Sequence, residues 1–246
     1  MDESFEVRSA LDVQNVLQDM VVVSAGVGEF LDGLVEAAVA VLGGAESVLM
    51  VSATLLRPRT RATIVGSSRM AWQLTDMQYR FDDGPSLQVA ATGRTAKVDD
   101  ADADTRFPLY LSAAARSNVR SVLCVPLRLD GPERATLTLY SRRRSAFCDE
   151  SVGSAELFAQ RASTSLKLAV RLARLTDKAD HLSAAMKSRT TIDLAAGIIM
   201  AQNRCTQDEA IEILRAASSA RNMKLRDLAA FVLSNTSEAA VTTHFD

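Results

Sequence analysis

Basic and hydrogen-bonding side chains gather in a short stretch near the C-terminus, and they are the residues best suited to binding chemistry. The stretch combines cations with hydroxyl and amide groups: Arg215, Ser218, Arg221, Asn222, Lys224 and Arg226. Lys187 and Arg189 are candidate phosphate neighbours. Such a set can hold the phosphates and base edges of an unpaired RNA loop, the form in which RNA sequence is usually read. Charge alone favours an ordinary solvated helical surface, because acidic residues balance these cations: Asp208, Glu209, Glu212 and Asp227.

Residues 186–229 have the pattern of three short helices separated by sharp breaks, which would position these side chains. The first two helices each carry one apolar face: Ile192, Ala195, Ala196, Ile199 and Met200, then Ala210, Ile213, Leu214 and Ala217. Thr206 and Glu209 have capping-box spacing at the start of the second helix. The chain turns near Asn222 before a third apolar face begins at Leu225. Gly197 costs about 1 kcal/mol inside a helix, which suggests that another helix approaches it closely.

The same residues resemble an ANTAR domain. The matching positions occur in order: Arg189, Ile192, Ala195 to Met200, Asp208-Glu209-Ala210, Leu214-Arg215, Ser218, Asn222, Lys224-Leu225-Arg226-Asp227 and Ala229. The resemblance implies an all-α, three-helix RNA-binding bundle that acts as a dimer. It would bind a pair of RNA stem-loops and so prevent a downstream terminator hairpin from forming. Ala196 replaces the usual lysine of the family: the change lowers affinity if that lysine contacts RNA, and matters little if it borders the dimer face.

The composition is that of a globular chain without general affinity for polyanions. Of 246 residues, 48% are hydrophobic and 24% are charged, and the net charge is -2, so any RNA contact must be local. The first six residues lack the basic-then-apolar order of a signal peptide, and the apolar run 34–42 is too short to span a membrane. Three widely separated cysteines form no disulfide or metal pattern. We therefore expect a cytoplasmic protein with no metal, no membrane segment and no cofactor beyond an unidentified small-molecule ligand.

Residues 10–165 have the pattern of an α+β domain. Helices are predicted over 12–42, and a hairpin of strands over 47–56 and 62–66 follows. Residues 70–78 are predicted to form a strand edge or loop around Trp72, and the break at 82–85 precedes a helix capped by Ser86. A short strand over 95–98, a helix from Pro108, and two strands over 119–129 and 135–140 complete the pattern.

This order resembles a GAF domain. The motifs are Asp83-Gly84-Pro85 before a helix, the run from Arg120 to Leu127, the return strand 135–140, and Phe147 before the final helix. The resemblance implies an antiparallel sheet with helices on one side and a pocket on the other, and pairing with ANTAR is familiar for this family. Candidate pocket residues are Trp72, Phe81, Tyr110 and Cys124, although each is more simply explained as core. The polar constellation of cyclic-nucleotide-binding relatives is not found, which leaves a sensor of an unidentified ligand or a dimerisation scaffold.

One long helix, from about residue 149 to residue 187, is predicted to join the two domains. Its apolar residues step by four and three, the spacing of a coiled-coil seam: Leu168, Leu172, Leu175, Ala179, Leu182 and Met186. The first half is expected to pack on the sheet. The second half favours a homodimeric coiled coil over packing within one chain. A continuous helix could carry a shift at the sensor to the RNA-binding pair.

No enzyme is predicted, because the sequence has no phosphate-binding glycine loop, nucleophile elbow or paired histidine and carboxylate motif. The acidic run around Asp102 lacks the glycine and glutamate of a calcium loop and is interpreted as a surface loop. Cys148 lies near the basic run 142–144 and fits a reactive thiol better than Cys124, which is expected to pack as a small hydrophobic residue.

Together these features predict a GAF-like sensor domain over 1–165, a dimerising linker helix over 150–187 and an ANTAR RNA-binding domain over 186–246. The predicted function is a signal-responsive transcription antitermination regulator that binds paired stem-loops in nascent transcripts as a homodimer. Two alternatives stay open. The last two helices are compatible with a DNA-binding helix-turn-helix, or the chain could be a GAF-based interaction scaffold without nucleic-acid binding.

Overall fold

A computed structural model of the protein describes residues 10–43 and 50–239 and has two compact units, divided after Ala173. Five strands form the sheet of the first unit: β1 (Met50–Leu56), β2 (Thr63–Gly66), β3 (Ala96–Val98), β4 (Ser121–Leu127) and β5 (Arg134–Ser141). Eight helices are described: α1 (Ala10–Val23), α2 (Val27–Leu42), α3 (Arg69–Phe81), α4 (Pro85–Thr92), α5 (Pro108–Arg116), α6 (Asp149–Asn203), α7 (Gln207–Ala220) and α8 (Leu225–Ala239). The predicted α+β class, with an antiparallel sheet and flanking helices, is confirmed.

The sheet is antiparallel throughout, in the order β2-β1-β5-β4-β3. Successive residues of a strand point to opposite faces, and here both faces of β1 and β5 are buried. One face is apolar. Its residues, such as Val51 and Leu137, pack in one cluster with α2 and with the first part of α6, including Phe158 and Leu166. The opposite face carries hydroxyl groups from the same strands and is equally buried.

The prediction of a strand edge or loop over 70–78 was wrong, because this segment lies in α3. Ser68 caps the helix by accepting a hydrogen bond from the Ala71 N–H, at 3.2 Å. The buried face of α3 follows helical spacing but consists of small and polar residues: Ala71, Leu74, Thr75 and Gln78. With one large apolar residue among the four, the helical period could not be recognised from hydrophobicity.

The predicted cap at Ser86 was also wrong. Helix α4 begins at Pro85, the first-turn position where proline is well tolerated, and Gly84 precedes it with φ at 150°. A Cβ at Gly84 would lie 2.4 Å from the Gln78 side-chain oxygen, so glycine is needed there. Ser86 lies inside the first turn, and its side chain is buried. Asp83 caps α5 instead: its carboxylate accepts from the N–H groups of Leu109 and Tyr110, at 2.9 and 3.1 Å.

In the second unit, the C-terminal part of α6 packs with α7 and α8 around a small core of Ala195, Ile199, Ala210, Leu214 and Leu228, among others. The linker helix was predicted to end at about residue 187, but the structure continues it to Asn203. Helix α6 runs through both segments, since no proline interrupts it. The capping box at α7 is confirmed: Thr206 N–H donates to Glu209 Oε2 at 2.8 Å, and Glu209 N–H donates to Thr206 Oγ1 at 3.4 Å. The hydrogen bonds that the Glu209 carboxylate accepts from the Thr206 N–H and hydroxyl hold the pKa of Glu209 below its usual range.

Candidate RNA interface and sensor core

The turn between α7 and α8 presents the basic residues on a well-defined backbone. Asn222 has φ at 51°, a left-handed conformation that asparagine tolerates well. Met223 N–H donates to the Ser218 carbonyl at 3.0 Å, and the Ser218 hydroxyl donates to the Met223 carbonyl at 2.5 Å. The Ser218 hydroxyl therefore closes the turn, and Asn222 supplies its conformation. Arg221 and Lys224 flank the turn with exposed side chains.

The candidate cations fall into two groups. Three of them have nearby carboxylates: Arg215 pairs with Glu212 at 2.6 Å, Arg226 with Asp227 at 3.0 Å, and Arg189 with Asp193 at 3.8 Å. Lys187, Arg221 and Lys224 form no ion pair with any residue that the structure describes. Exposed ion pairs contribute about 0–1 kcal/mol to stability, so the three paired arginines can still leave their carboxylates to bind a phosphate. The three unpaired cations can bind a phosphate without first breaking an ion pair.

Ala196, where the ANTAR pattern usually has lysine, lies in the core of the bundle. Its side chain is 0% exposed and belongs to the cluster around Ala195 and Leu214. Because this position lies in the core, a direct contact of the usual lysine with RNA explains the departure poorly. The alanine is a packing residue in this chain.

The residues of the predicted seam are exposed along α6. Leu168, Leu172, Leu175, Leu182 and Met186 are 45% to 67% exposed, and Ala179 is also exposed. A Cβ at Gly197 would meet no atom of the described chain within 4 Å. The close helix approach expected at this glycine is therefore not made by the described part of the chain.

The four predicted pocket residues differ in exposure. Tyr110 and Cys124 are fully buried, whereas Trp72 and Phe81 lie on α3 with 40% of each side chain exposed. Burial raises the pKa of Tyr110 well above its usual value and raises that of Cys124 to about 11. Both groups therefore stay protonated at neutral pH.

A buried hydrogen-bond network connects α3 and α4 to the polar face of the sheet, and sequence analysis missed it. Thr75 Oγ1 donates to Ser52 Oγ at 2.6 Å and lies 2.6 Å from Tyr140 Oη. The network continues to α4 through Gln78, whose Oε1 accepts a hydrogen bond from the Ser86 N–H at 2.7 Å. It ends at Thr138 and Cys124: Ser86 Oγ lies 2.8 Å from Thr138 Oγ1, which donates to Cys124 Sγ at 3.3 Å. The alternating hydroxyls of β1 and β5 were the available signal, but such alternation usually marks a solvent-facing side.

The acidic loop is held to the basic run by ion pairs. Asp102 accepts from both Arg120 and Arg144, at 2.6 and 2.7 Å, and Arg144 also pairs with Asp100 at 3.2 Å. Arg144 thus has a structural partner rather than a free guanidinium. Within the described residues, no group of three or more histidine, cysteine or acidic side chains has the arrangement of a metal site.

Cys148 is exposed immediately before α6. Hydrogen bonding with the Ser151 hydroxyl, whose oxygen lies 3.1 Å from the Cys148 sulfur, and with the Ser151 N–H lowers the pKa of the thiol. A lowered pKa increases the thiolate fraction at neutral pH, and the thiolate is the reactive form. The two cysteines of the first unit therefore differ strongly in predicted reactivity.

The family comparisons agree with this architecture. The GAF domain model matches residues 27–166 and the ANTAR domain model matches residues 180–233. The chain belongs to the GAF domain family and carries an ANTAR domain after it. The ANTAR domain implies an RNA-binding antitermination regulator, with the GAF domain as its sensor domain. Both are regulatory domains.

Several solved structures are similar to part of this chain at low sequence identity. A free methionine-R-sulfoxide reductase from Neisseria meningitidis, determined with its substrate, is 18% identical over 66% of this chain and 90% of its own, with a TM-score of 0.46. The LuxR-family transcription factor CepR2 of Burkholderia cenocepacia is 18% identical over 66% and 97%, with a TM-score of 0.48. The GAF domain of an Acinetobacter phosphoenolpyruvate-protein phosphotransferase is 15% identical over 67% and 96%, with a TM-score of 0.45. No curated protein matches the chain. In the described part of the chain, no helix is long and apolar enough to cross a membrane.

Proposed function

We propose that this protein is a cytoplasmic, signal-responsive transcription antitermination regulator. As a homodimer it binds two stem-loops of a nascent transcript and prevents a downstream terminator hairpin from forming. The observation that carries the proposal is the ANTAR match over 180–233. The division of the chain into a sensor over 1–165, a linker helix over 150–187 and an RNA-binding domain over 186–246 is part of the same proposal.

The exposed turn between α7 and α8 supports the RNA interface. Arg221 and Lys224 supply positive charge there without an acidic partner among the described residues, and Lys187 adds a third such cation on α6. RNA affinity depends strongly on cations that replace the counterions of phosphates. Arg189, Arg215 and Arg226 are secondary contacts, because each first has to leave a carboxylate. Ser218 and Asn222 act mainly by shaping the turn.

The seam on α6 supports dimerisation. Full burial of a leucine or methionine side chain contributes about 1.5–3 kcal/mol, so covering the half-exposed seam residues contributes roughly 1 kcal/mol each. Five large side chains from each of two protomers give a gross contribution of about 10 kcal/mol. Association itself costs about 4–15 kcal/mol. The two magnitudes are similar, so a modest change at the sensor could shift the population of dimers.

The first part of α6 is fastened to the sensor domain at two points that would transmit such a change. Ser163 Oγ accepts from the Arg128 N–H at 2.8 Å, next to the end of β4. Lys167 pairs with Asp130 at 2.9 Å in the connection between β4 and β5. A small-molecule signal that shifts β4 would therefore act directly on α6. We propose regulation by this route and no catalytic reaction.

Binding of the purified protein to RNA tests the proposal. The RNA would carry two short stem-loops, and matched competitors would be a one-loop RNA and duplex DNA. The proposal predicts that the two-loop RNA binds most tightly, with two protomers per RNA. Preference for duplex DNA would indicate a DNA-binding regulator. Absence of binding to every nucleic acid at low salt would indicate a protein-interaction scaffold.

A further inference from the structure

The two ends of the sensor sheet differ in how their arginines are neutralised. At the end where β4 begins and β5 finishes, the cations meet the acidic loop. Arg120 and Arg144 both pair with Asp102. Arg106 pairs with Asp104 in the same loop. Positive and negative charges therefore largely cancel at this end of the sheet.

Five exposed arginines lie at the opposite end of the sheet and are here called the arginine row: Arg59, Arg61, Arg94, Arg128 and Arg134. The first two lie in the connection from β1 to β2, and the third lies just before β3. The register brings these segments to one end, because Leu56 at the end of β1 lies opposite Arg134 at the start of β5. Within the part of the chain that the structure describes, none of the five arginines forms an ion pair.

Two arginines of the row are held in place without being neutralised. Arg128 Nη2 donates to the Gly93 carbonyl at 3.4 Å. Arg134 Nη1 donates to the carbonyls of Gly131 and Glu133, at 2.8 and 2.9 Å. A carbonyl oxygen orients a guanidinium but leaves its full positive charge, and a guanidinium has five N–H donors in all. These side chains are therefore positioned to bind an anion with their remaining donors.

The carboxylates near the row are too few to neutralise it. Asp130 pairs with Lys167 at 2.9 Å. Glu133 is only 5% exposed, and Glu156 accepts a hydrogen bond from the Thr95 hydroxyl. Five arginines and one lysine thus face three carboxylates, so a net positive charge remains at this end of the sheet.

The length of the row favours a polymeric anion over a small one. Neighbouring strands lie about 4.8 Å apart, so the five-stranded sheet extends about 19 Å from β2 to β3. A single small anion contacts only part of such a row, whereas a chain of phosphates can contact all of it. All five cations are arginines, whose planar guanidinium binds phosphate through two parallel hydrogen bonds and also stacks on aromatic rings. A cleft of about 360 Å³ between Arg128 and Arg134 gives the surface a concave centre.

We propose that the arginine row binds the phosphate backbone of unpaired nucleotides that flank the stem-loops of the transcript. The inference rests on the RNA-binding function proposed above, which supplies the polymeric anion, and it adds a second RNA contact on the sensor domain. The Arg128 N–H also bonds to Ser163 on α6. RNA bound at the row would therefore lie beside the contact that fastens α6 to the sheet.

Binding of the full-length protein to two forms of the two-loop RNA tests the proposal. One form contains the two stem-loops only, and the other carries about 20 unstructured nucleotides on one side, more than the roughly 4–16 that a single-strand site usually covers. A tethered flank has an effective concentration of about 1 mM, against a non-specific dissociation constant of about 10⁻⁴ to 10⁻⁶ M. We therefore expect the flank to strengthen binding about tenfold or more. It should also steepen the salt dependence by about 3.5, since each of five phosphate contacts contributes about 0.7.

A pair of matched triple variants locates the flank on the protein. Arg59→Gln/Arg61→Gln/Arg94→Gln removes three cations whose side chains form no hydrogen bond in the described structure, so its melting temperature should stay that of the wild type. Arg116→Gln/Arg142→Gln/Arg143→Gln makes the same charge change at exposed positions near the opposite end of the sheet.

We expect the row variant to lose most of the gain in affinity from the flank and to keep about 1.4 of the added salt slope. The control variant should keep both. Absence of a gain in wild-type protein would overturn the proposal and would leave the row to an acidic protein partner. A gain that is unchanged in the row variant, or lost equally in both variants, would overturn it as well.

Two further measurements keep this result distinct from the proposed function. Binding of the stem-loops alone reports on that function, and the flank sequence alone at low salt tests the row even if the stem-loops do not bind. The flank should bind wild-type protein more tightly than the row variant, and equal affinities would overturn the proposal. In wild-type protein, the extended RNA should slow modification of Arg94, Arg128 and Arg134 by phenylglyoxal more than the short RNA does, and equal rates would overturn it.

Discussion

Replacing the two unpartnered cations of the α7–α8 turn should remove most of the salt dependence of RNA binding. The variant is Arg221→Gln/Lys224→Gln, which keeps side-chain length and the backbone of the turn, because neither side chain takes part in closing it. We expect both residues to contact phosphates. Their loss should therefore weaken binding similarly for different loop sequences.

The size of the effect follows from the number of unpaired cations. Each contact to a single-stranded phosphate contributes about 0.7 to the slope of log affinity against log salt. Three cations per protomer (Lys187, Arg221 and Lys224) give a dimer a slope of about −4, and the double variant leaves about −1.4. A fourfold rise in salt should weaken the wild-type complex roughly 300-fold and the variant complex only about 7-fold.

Fluorescence anisotropy with the two-loop RNA over a salt series measures this slope. The control is Arg142→Gln/Arg143→Gln, which makes the same charge change at exposed sites in the sensor domain. We expect the control to keep the wild-type slope. Equal slopes for wild type and Arg221→Gln/Lys224→Gln would refute the placement of the interface at this turn. Equal losses in both variants would mean that only net charge matters.

Three further perturbations test other parts of the account. Leu175→Asn/Leu182→Asn should convert the dimer to monomers in light scattering while helix content by circular dichroism is kept, and a persistent dimer would reject the seam. Cys148 should react with iodoacetamide much faster than Cys124 at pH 7, and its reaction rate should have a midpoint below pH 9. The reason is that hydrogen bonding lowers the pKa of the exposed Cys148 thiol, whereas burial raises the pKa of the Cys124 thiol. Equal rates for the two cysteines would contradict this prediction. Ala196→Lys should destabilise the protein by about 1–3 kcal/mol in urea melts through overpacking without strengthening RNA binding, whereas tighter binding would reassign this position to the interface.

Hydrophobic periodicity and turn signals predicted most of the fold. The strand pair of β1 and β2, the strong strands β4 and β5, and the capping box at Thr206 were all recognisable, because each depends on local patterns of apolar residues or on cap chemistry. Helix α3 was missed because its buried face contains the polar residues Thr75 and Gln78, whose hydrogen-bond partners lie in other elements of the domain. The continuity of α6 was missed because the ANTAR pattern suggested a separate first helix.

The candidate sites were predictable to different degrees. The basic turn could be located from residue types alone. Only the structure shows which of its arginines form ion pairs with nearby carboxylates and which do not. The polar network of the sensor could not be recognised, since Ser52 and Thr138 come together only through the pairing of β1 with β5. Alternating hydroxyls read in isolation indicate a solvent-facing strand, and only the helices packed over them reveal burial.

A single-round transcription assay tests the central claim most directly. The template would encode the two stem-loops upstream of an intrinsic terminator, and readthrough would be measured with increasing amounts of protein. We predict that wild-type protein raises readthrough, that Arg221→Gln/Lys224→Gln does not, and that deletion of one stem-loop abolishes the effect. Unchanged readthrough at protein concentrations that saturate the two-loop RNA would contradict the antitermination account.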